Sequence, residues 1–266
     1  MPLPESPRCV ITGAAAGLGR ALALELAARR AHLVLSDVDT SGLDETARLA
    51  MGAGARTARA MRCDVTKLDD VKALAASCER PVHLVVNNAG VASAGRIGEL
   101  SIEDWRWTLE VDLFGVIHGC HVFVPFLRSQ GHGHVLNVAS AAGLIGTAQM
   151  GAYNVAKAGV IALSETLHAE LIDSKVDVTV LCPMFFQSNI SKAMRTGDEK
   201  ARAAADGLIA KGPPAAAVAK AALAAVDRGH LYAVPMADGL WAWRMKRVAP
   251  EAFARIAGRV VKRALR

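Results

Sequence analysis

A tyrosine and a lysine lie four residues apart near the middle of the sequence, at Tyr153 and Lys157. On a helix this spacing places both side chains on the same face, one turn apart. Free tyrosine has a pKa near ~10, too high for a good base at neutral pH, but a neighbouring positive charge favours tyrosinate and lowers that pKa. The pair could therefore take a proton from a substrate hydroxyl group. Ser140 precedes the pair and could donate a hydrogen bond to the same substrate oxygen.

A glycine-rich turn, TGAAAGLG, follows the first apolar run of the chain. Its glycines, Gly13, Gly17 and Gly19, let the backbone turn sharply and approach a ligand closely. A helix begins in this turn, so its free N–H groups and the positive end of its dipole point at the ligand. The turn therefore predicts a pyrophosphate site, although its spacing is GxxxGxG and not the common GxGxxG.

An acidic residue, Asp37, ends the second predicted strand. An acid about 20 residues after such glycines accepts hydrogen bonds from a ribose 2′-hydroxyl and repels a 2′-phosphate. No arginine or lysine lies within the turn or directly beside Asp37 in the sequence. Asp37 therefore favours NAD over NADP. The alternative interpretation is a surface aspartate that opens a turn in DVDTSG.

Seven short apolar runs alternate with longer helical patterns, which predicts an α/β fold, a doubly wound parallel sheet with helices on both faces. The runs are Arg8–Thr12, His32–Ser36, Thr57–Cys63, Val82–Val86, His134–Val138, Asp177–Leu181 and Leu231–Val234. The chain has 266 residues, 52% of them hydrophobic, which excludes global disorder and favours one large domain over residues 1–240. A polar, alanine-rich segment at about 188–212 is too long for an ordinary connection and predicts a lid.

Basic residues concentrate at the end of the chain, in an extension over residues 241–266. This extension has eight basic residues and one acid, a net charge of +7 against +6 for the whole chain, so residues 1–240 carry −1. The core is therefore not expected to bind nucleic acid. The basic residues are Arg244, Lys246, Arg247, Arg255, Arg259, Lys262, Arg263 and Arg266.

The pattern of residues 251–266 predicts an amphipathic helix. Its apolar face contains Phe253, Ile256, Val260 and Val261, opposite Arg255, Arg259, Lys262 and Arg266, and Trp241, Trp243 and Met245 lie upstream. Such a helix could pack on its own body or on a neighbouring subunit, or it could lie on an anionic membrane surface.

The five cysteines are far apart and include no CxxC pair, so the sequence predicts neither disulfides nor a zinc site. His118 and His121 are interpreted as helix residues, because no third metal ligand accompanies them. We find no signal peptide and no run of about 18 uninterrupted apolar residues. We therefore expect a cytoplasmic protein without a metal.

A Tyr-x-x-x-Lys spacing alone often arises by chance, but here it follows the glycine turn, Asn87-Asn88-Ala89-Gly90 and Ser140 in order. Together these motifs resemble the short-chain dehydrogenase/reductase family across roughly residues 8–235. The resemblance implies a single Rossmann-like domain, NAD(P)-dependent interconversion of an alcohol and a ketone, and a homo-oligomer, commonly a tetramer or dimer.

The resemblance also implies a role for each matching residue. Ser140, Tyr153 and Lys157 resemble the catalytic trio, and Lys157 would also bond the nicotinamide ribose. Asp64 resembles the adenine contact, and Ser188 replaces the threonine that bonds the nicotinamide carboxamide. The implied cofactor-binding residues are Gly13, Gly17, Leu18, Gly19, Asp37, Asp64, Val65, Asn87, Ala89, Gly90, Tyr153, Lys157, Pro183 and Ser188.

Two positions depart from the family pattern. Met184 follows Pro183 where the family has glycine, and Asp112 occupies the place of a catalytic asparagine that helps to hold a water beside the lysine. A carboxylate at Asp112 would oppose the charge of Lys157 and weaken its effect on the tyrosine pKa. Alternatively, Asp112 caps or bends its helix and the proton relay bypasses it.

The segments that surround the substrate in this family are apolar here. They supply Leu144, Ile145, Met150, Met184, Phe185, Phe186, Ile190 and Met194. These residues predict a hydrophobic secondary alcohol or ketone as substrate, unless about half of them are simply core. Two other functions stay open: an NADP-linked reductase, and a non-catalytic NAD-binding protein that associates with a membrane or partner through its basic tail.

Overall fold

The computed structural model describes residues 2–264, and their side chains up to residue 260. Its centre is a parallel sheet in the order β3-β2-β1-β4-β5-β6-β7, which confirms the predicted fold. The strands are β1 (Arg8–Thr12), β2 (His32–Asp37), β3 (Thr57–Arg62), β4 (Leu84–Asn87), β5 (Gly133–Val138), β6 (Val176–Leu181) and β7 (Tyr232–Ala233).

Helices cover both faces of the sheet. They are α1 (Gly17–Ala27), α2 (Thr40–Gly52), α3 (Leu68–Ala76), α4 (Ile102–Leu109), α5 (Gly115–Gln130), α6 (Ala141–Ile145), α7 (Gly151–Glu170), α8 (Glu199–Lys211), α9 (Ala215–Asp227), α10 (Ala237–Val248) and α11 (Pro250–Ala264). On one face α1 packs against α2 and α9, and on the other α5 packs against α3 and α7.

Each face has its own apolar core because successive strand residues point to opposite sides. In β1, Val10 packs in the cluster that contains Phe123 of α5, whereas Ile11 packs in the cluster that contains Leu22 of α1. Apolar residues are therefore needed at nearly every position of the central strands, which explains their uninterrupted apolar runs.

The fourth strand begins two residues later than predicted. Val82 N–H donates to Gln130 Oε1 at 3.1 Å, and Gln130 Nε2 donates back to the Val82 carbonyl. The backbone groups of Val82 are thus satisfied by a side chain of α5, and the strand starts at Leu84.

The carboxyl ends of β1 and β4 diverge where the strand order reverses. From β1 the chain continues outward to β2 and β3, and from β4 to β5, β6 and β7. Open α/β sheets bind ligands in the crevice at such a point.

One helical stretch, Ile102–Gln130, is long and apolar enough to cross a membrane by length and composition alone. It comprises α4, a π-helical turn over Glu110–Phe114, and α5. In this fold it packs on the sheet, and Phe123 and Leu127 are fully buried. It therefore serves as a core helix of the domain.

The C-terminal segment forms the two helices α10 and α11. The predicted division between residues 240 and 241 falls inside α10, whose Trp243 packs on Tyr232 with ring centroids 4.8 Å apart. This helix therefore belongs to the body. Val261, Lys262, Arg263 and Arg266, named in the tail prediction, lie outside the residues whose side chains the structure describes.

Candidate functional site

A cavity of about 730 Å³ opens at the carboxyl ends of the strands. Most of the residues assigned from the sequence line it: Gly13, Gly17, Leu18, Asp37, Asp64, Val65, Ala89, Gly90, Ser140, Met150, Tyr153, Lys157, Pro183, Met184, Phe185, Phe186 and Ser188. A cavity of this size can enclose a drug-sized ligand or a cofactor. The topology thus brings together residues from the whole length of the domain.

The glycine turn forms one wall of the cavity. Gly13 and Gly17 have φ of +66° and +53°, which favour glycine, and a Cβ on Gly13 would lie 2.6 Å from Ala89 Cα. Helix α1 begins at Gly17 without a side-chain cap, so its first N–H groups stay free for a ligand. This geometry fits a pyrophosphate.

Gly19 has a packing role. It does not line the cavity, and a Cβ there would lie 2.1 Å from the Gly13 carbonyl oxygen. The turn is held from behind by Asn88, whose Nδ2 donates to the carbonyls of Thr12 and Gly13 at 2.9 and 3.0 Å. Gly19 thus lets α1 approach the turn, and its place among the cofactor-binding residues stays a prediction.

Asp37 ends β2 at the edge of the cavity. Its Oδ2 accepts a hydrogen bond from the Ala15 N–H at 3.0 Å, and its Oδ1 accepts from the Val38 N–H at 2.8 Å. The carboxylate is thus held against the glycine turn, in the position from which it could bind a ribose hydroxyl.

Two basic residues that are distant from Asp37 in the sequence lie near its carboxylate in the fold. Both form contacts with other groups. Arg62 of β3 is aligned with Asp37 in the sheet and pairs with Asp70 at 3.9 Å. Arg20 donates to Thr46 Oγ1 at 2.9 Å and to the Ala15 carbonyl at 2.5 Å. Neither side chain lines the cavity.

Asp64 and Asn87 occupy different surroundings. Asp64 lines the cavity, and its Oδ1 accepts from Thr66 Oγ1 at 2.7 Å. Asn87 is buried behind the cavity wall, where its Nδ2 donates to Asn137 Oδ1 at 2.8 Å. Asn87 therefore joins β4 to β5 and does not line the cavity, although the resemblance implied a cofactor-binding residue there.

The three catalytic candidates converge on the cavity from α6 and α7. Ser140 caps α6, with its Oγ accepting from the Ala142 N–H at 3.1 Å, and its hydroxyl donates to the Pro183 carbonyl at 3.5 Å. Lys157 Nζ lies 5.6 Å from the centre of the Tyr153 ring and donates to the Val138 carbonyl at 3.2 Å. Tyr153 therefore stands between a hydroxyl donor and an ammonium group.

Asp112 lies behind Lys157, in the π-helical turn. It is 0% exposed, its Oδ1 accepts from the Val91 N–H at 2.7 Å, and its Oδ2 lies 3.4 Å from Lys157 Nζ. The Asp112 carboxylate thus faces Lys157, as the first of the two sequence interpretations requires. A π-helical turn at this point is consistent with a functional role.

Burial and neighbouring charges shift the pKa values of Tyr153, Lys157 and Asp112. Burial raises the pKa of Tyr153 and the Asp112 charge adds to it, and together they outweigh the lowering by Lys157 and by Ser140. This net direction is the reverse of the sequence expectation, which considered the lysine but not burial. Burial lowers the pKa of Lys157, but the negative charges of Asp112 and Tyr153 outweigh burial, so the pKa is raised overall. Burial also raises the pKa of Asp112, against the effect of Lys157.

The far end of the cavity is apolar. The charged side chains that line the cavity within the described part of the chain are Asp37, Asp39, Asp64 and Lys157, all at the glycine-turn end or in the catalytic group. The large apolar side chains that line the cavity are Trp107, Ile145, Met150, Met184, Phe185, Phe186, Ile190, Met194 and Ile209, of which Ile209 also lies near Gly17. Such a surface favours an apolar ligand.

Leu144 does not belong to this lining. It is buried in the core cluster that contains Val160, whereas its neighbour Ile145 lines the cavity. The short helix α6 turns successive side chains by about 100°, so only one of the two can face the cavity. The sequence prediction of Leu144 as a substrate contact was wrong.

The segment between β6 and α9 covers one side of the cavity. Ser188 approaches the glycine turn: a Cβ added to Gly17 would lie 3.9 Å from the Cβ of Ser188. Arg195 fastens the segment to α4: its Nη1 lies 3.2 Å from Asp104 Oδ1, and its guanidinium lies 4.0 Å from the Trp107 ring centre. Sequence reasoning missed Trp107 and Arg195, because no local pattern links positions so far apart.

Comparison with known proteins places this geometry in a family. Residues 8–199 match the model of the short chain dehydrogenase family. SadH of Mycobacterium tuberculosis, named as an oxidoreductase, is 41% identical over 181 residues, which cover 67% of this chain. The chain spans 65% of the length of SadH.

Two solved structures share the fold. A short-chain dehydrogenase/reductase from Burkholderia phymatum in complex with NAD has a TM-score of 0.87 and 33% identity, covering 93% of this chain and 95% of its own. A short-chain dehydrogenase from Sphingobium yanoikuyae in complex with NADPH has a TM-score of 0.78 and 24% identity, covering 94% and 95%. The neighbours hold different cofactors, so the choice between NAD and NADP depends on this chain's own residues.

Proposed function

Since the chain belongs to the short-chain dehydrogenase family, we propose that it is an NAD-dependent enzyme that interconverts a hydrophobic secondary alcohol and its ketone. One observation carries the proposal: Ser140, Tyr153 and Lys157 meet on the wall of a cavity with a glycine turn at one end and an apolar surface at the other. The catalytic group thus lies between a place for a dinucleotide and a place for an apolar substrate.

The residues divide the work of alcohol oxidation. Ser140 donates a hydrogen bond to the substrate oxygen and holds it beside Tyr153. Tyr153, as tyrosinate, takes the hydroxyl proton, and the Lys157 ammonium stabilises that tyrosinate. Bound NAD supplies the hydride acceptor. In ketone reduction Tyr153 returns the proton to the oxygen.

The cofactor would lie along the glycine turn. The N–H groups at the start of α1 would hold the pyrophosphate, and Asp37 the adenosine ribose. Asp64, Val65 and Ser188 line the cavity. In this proposal Asp64 and Val65 would contact the adenine, and Ser188 would bond the carboxamide. The positive φ of Gly13 and Gly17 and the free helix N-terminus fit this group.

The proposal is tested by following NAD reduction with a panel of secondary alcohols that differ in chain length and polarity, with NADP in parallel. We expect turnover with NAD, and kcat/KM should rise with the apolar area of the alcohol because the far cavity end is apolar. A preference for sugars or hydroxy acids would contradict the substrate class. Tight NADH binding without turnover on any member would instead favour a non-catalytic NAD-binding protein.

Replacing Asp37 with asparagine should weaken the preference for NAD. We expect the ratio of kcat/KM for NADP over NAD to rise at least about 10-fold, because a charged hydrogen bond to the ribose and the repulsion of a 2′-phosphate are both lost. Asp44→Asn removes the same charge from an exposed position on α2, outside the cavity, and should leave the ratio unchanged. Equal ratios in the two variants would mean that Asp37 does not select the cofactor and only shapes the turn.

Replacing Arg195 with alanine should loosen the cover of the cavity. The variant loses the ion pair with Asp104 and the contact with Trp107, so we expect KM for the alcohol to rise about 10-fold with little change in Tm. Lys200→Ala, at an exposed position of α8, is the control. An unchanged KM would show that the segment stays closed without Arg195.

The proposal includes a cytoplasmic homo-oligomer. Its support is the family, and the exposed apolar residues Ile102 and Val155 on the adjoining helices α4 and α7. An NADP-linked reductase remains the alternative that the Asp37 experiment decides.

A further inference from the structure

The C-terminal helices expose a group of large apolar side chains. Trp241, Met245 and Val248 share one face of α10 and are 63%, 54% and 83% exposed. Ile256 and Val260 of α11, which packs against α10, are 60% and 59% exposed. We name these five residues the C-terminal apolar face. Large apolar side chains left exposed along two successive helices indicate a binding surface.

The opposite face of α10 is fixed to the body. Trp243 packs on Tyr232, and Lys246 Nζ donates to the Leu144 carbonyl at 2.7 Å. Gly239 lies so near Met184 that a Cβ on it would be 2.7 Å from Met184 Cγ. These contacts hold the C-terminal apolar face outward, on a helix that touches the wall of the apolar cavity end.

Basic side chains accompany these apolar residues. Arg244 lies 5.9 Å from the Trp241 ring centre, and Arg255 and Arg259 are exposed on α11, each one residue before Ile256 or Val260. Residues 241–266 carry +7, and the rest of the chain carries −1. Two copies of this segment would repel each other, and a body of charge −1 offers little to attract it. A lipid layer with anionic head groups and apolar acyl chains complements both the positive charge and the apolar side chains of this face.

We propose that the C-terminal apolar face docks the protein on an anionic lipid surface. Trp241, Met245, Val248, Ile256 and Val260 enter the boundary between head groups and acyl chains, and Arg244, Arg255 and Arg259 meet the anionic head groups. Because Gly239 of α10 lies against Met184, which lines the cavity, docking holds the cavity close to the lipid surface. The docking itself does not depend on the proposed enzymatic activity.

The test is co-sedimentation of the full chain with vesicles of phosphatidylcholine alone or mixed with phosphatidylglycerol. We expect binding to the mixed vesicles that weakens as salt is raised. The double variant Trp241→Ser with Val248→Ser should bind them at least about tenfold more weakly. Arg255→Gln with Arg259→Gln should bind more weakly and lose part of the salt dependence.

The control replaces two apolar residues exposed elsewhere, Met51→Ser with Ile172→Ser, which are 49% and 75% exposed. It should bind vesicles as the wild type does, and circular dichroism should report that every variant is folded. Absence of wild-type binding to mixed vesicles, or equal binding by the Trp241 and control variants, would overturn the proposal. The proposal would also be overturned if the Trp241 variant bound vesicles as the wild type does but had a different mass by light scattering. The face would then be a contact between subunits.

Discussion

Tyr153→Phe should lower kcat for alcohol oxidation by about 10³-fold. Proton transfer by a positioned side chain contributes about 10²–10⁴-fold, and phenylalanine has no hydroxyl to accept the proton. The ring keeps its volume beside Lys157, so NADH binding should be unchanged. The measurement is NAD reduction with the best alcohol of the panel, together with fluorescence titration of NADH.

The chain offers a matched control, because it contains one other tyrosine, Tyr232. The Tyr232 hydroxyl bonds Glu165 and the residue does not line the cavity, so Tyr232→Phe should retain turnover. If Tyr153→Phe turned over at the wild-type rate, the proton would have to leave by another group. The assigned role of Tyr153 would then be wrong.

Asp112→Asn should move the pH profile of alcohol oxidation to lower pH, by about one unit. The reaction needs tyrosinate, and the negative charge of Asp112 adds to the burial that raises the pKa of Tyr153. Removing that charge lowers the pKa of Tyr153, so tyrosinate forms at lower pH. The rising limb of the activity–pH profile therefore shifts to lower pH as well. One pH unit corresponds to about 1.4 kcal/mol, within the range of a charge pair in a protein site.

The asparagine keeps an oxygen that can accept the Val91 N–H, so the variant should fold. Its Tm should fall, because a buried ion pair with Lys157 is lost. Glu110→Gln, at an exposed position of the same π-helical turn, removes an equal charge and should leave the profile in place. A profile that is the same in wild type and Asp112→Asn would mean that the proton path bypasses Asp112.

The sheet and much of the cavity lining could be predicted from the sequence because they depend on local patterns. Buried parallel strands need uninterrupted apolar runs, and the glycine turn needs residues that tolerate positive φ, as at Gly13 and Gly17. These requirements act within a few residues of each other, so the order of residues along the chain reveals them.

The remaining features depend on packing between distant segments. Whether Leu144 or Ile145 faces the cavity is decided by how α6 lies on α7, and Gly19 is required by the approach of α1 to its own turn. Arg195 meets Trp107 across the cavity mouth from the other half of the chain. The burial of Tyr153, which together with the Asp112 charge reverses the expected direction of its pKa, is likewise a product of the tertiary structure.

Hydride transfer at this site is tested most directly by the fate of the carbon-bound hydrogen. The best alcohol of the panel, deuterated at the carbinol carbon, is incubated with wild-type protein and NAD, and the nicotinamide product is examined by mass spectrometry. We predict deuterium in the NADH, together with the matching ketone, and labelling about 10³-fold slower with Tyr153→Phe. NADH without the label, or no ketone in the presence of bound NAD, would contradict hydride transfer from the alcohol to the cofactor in this cavity.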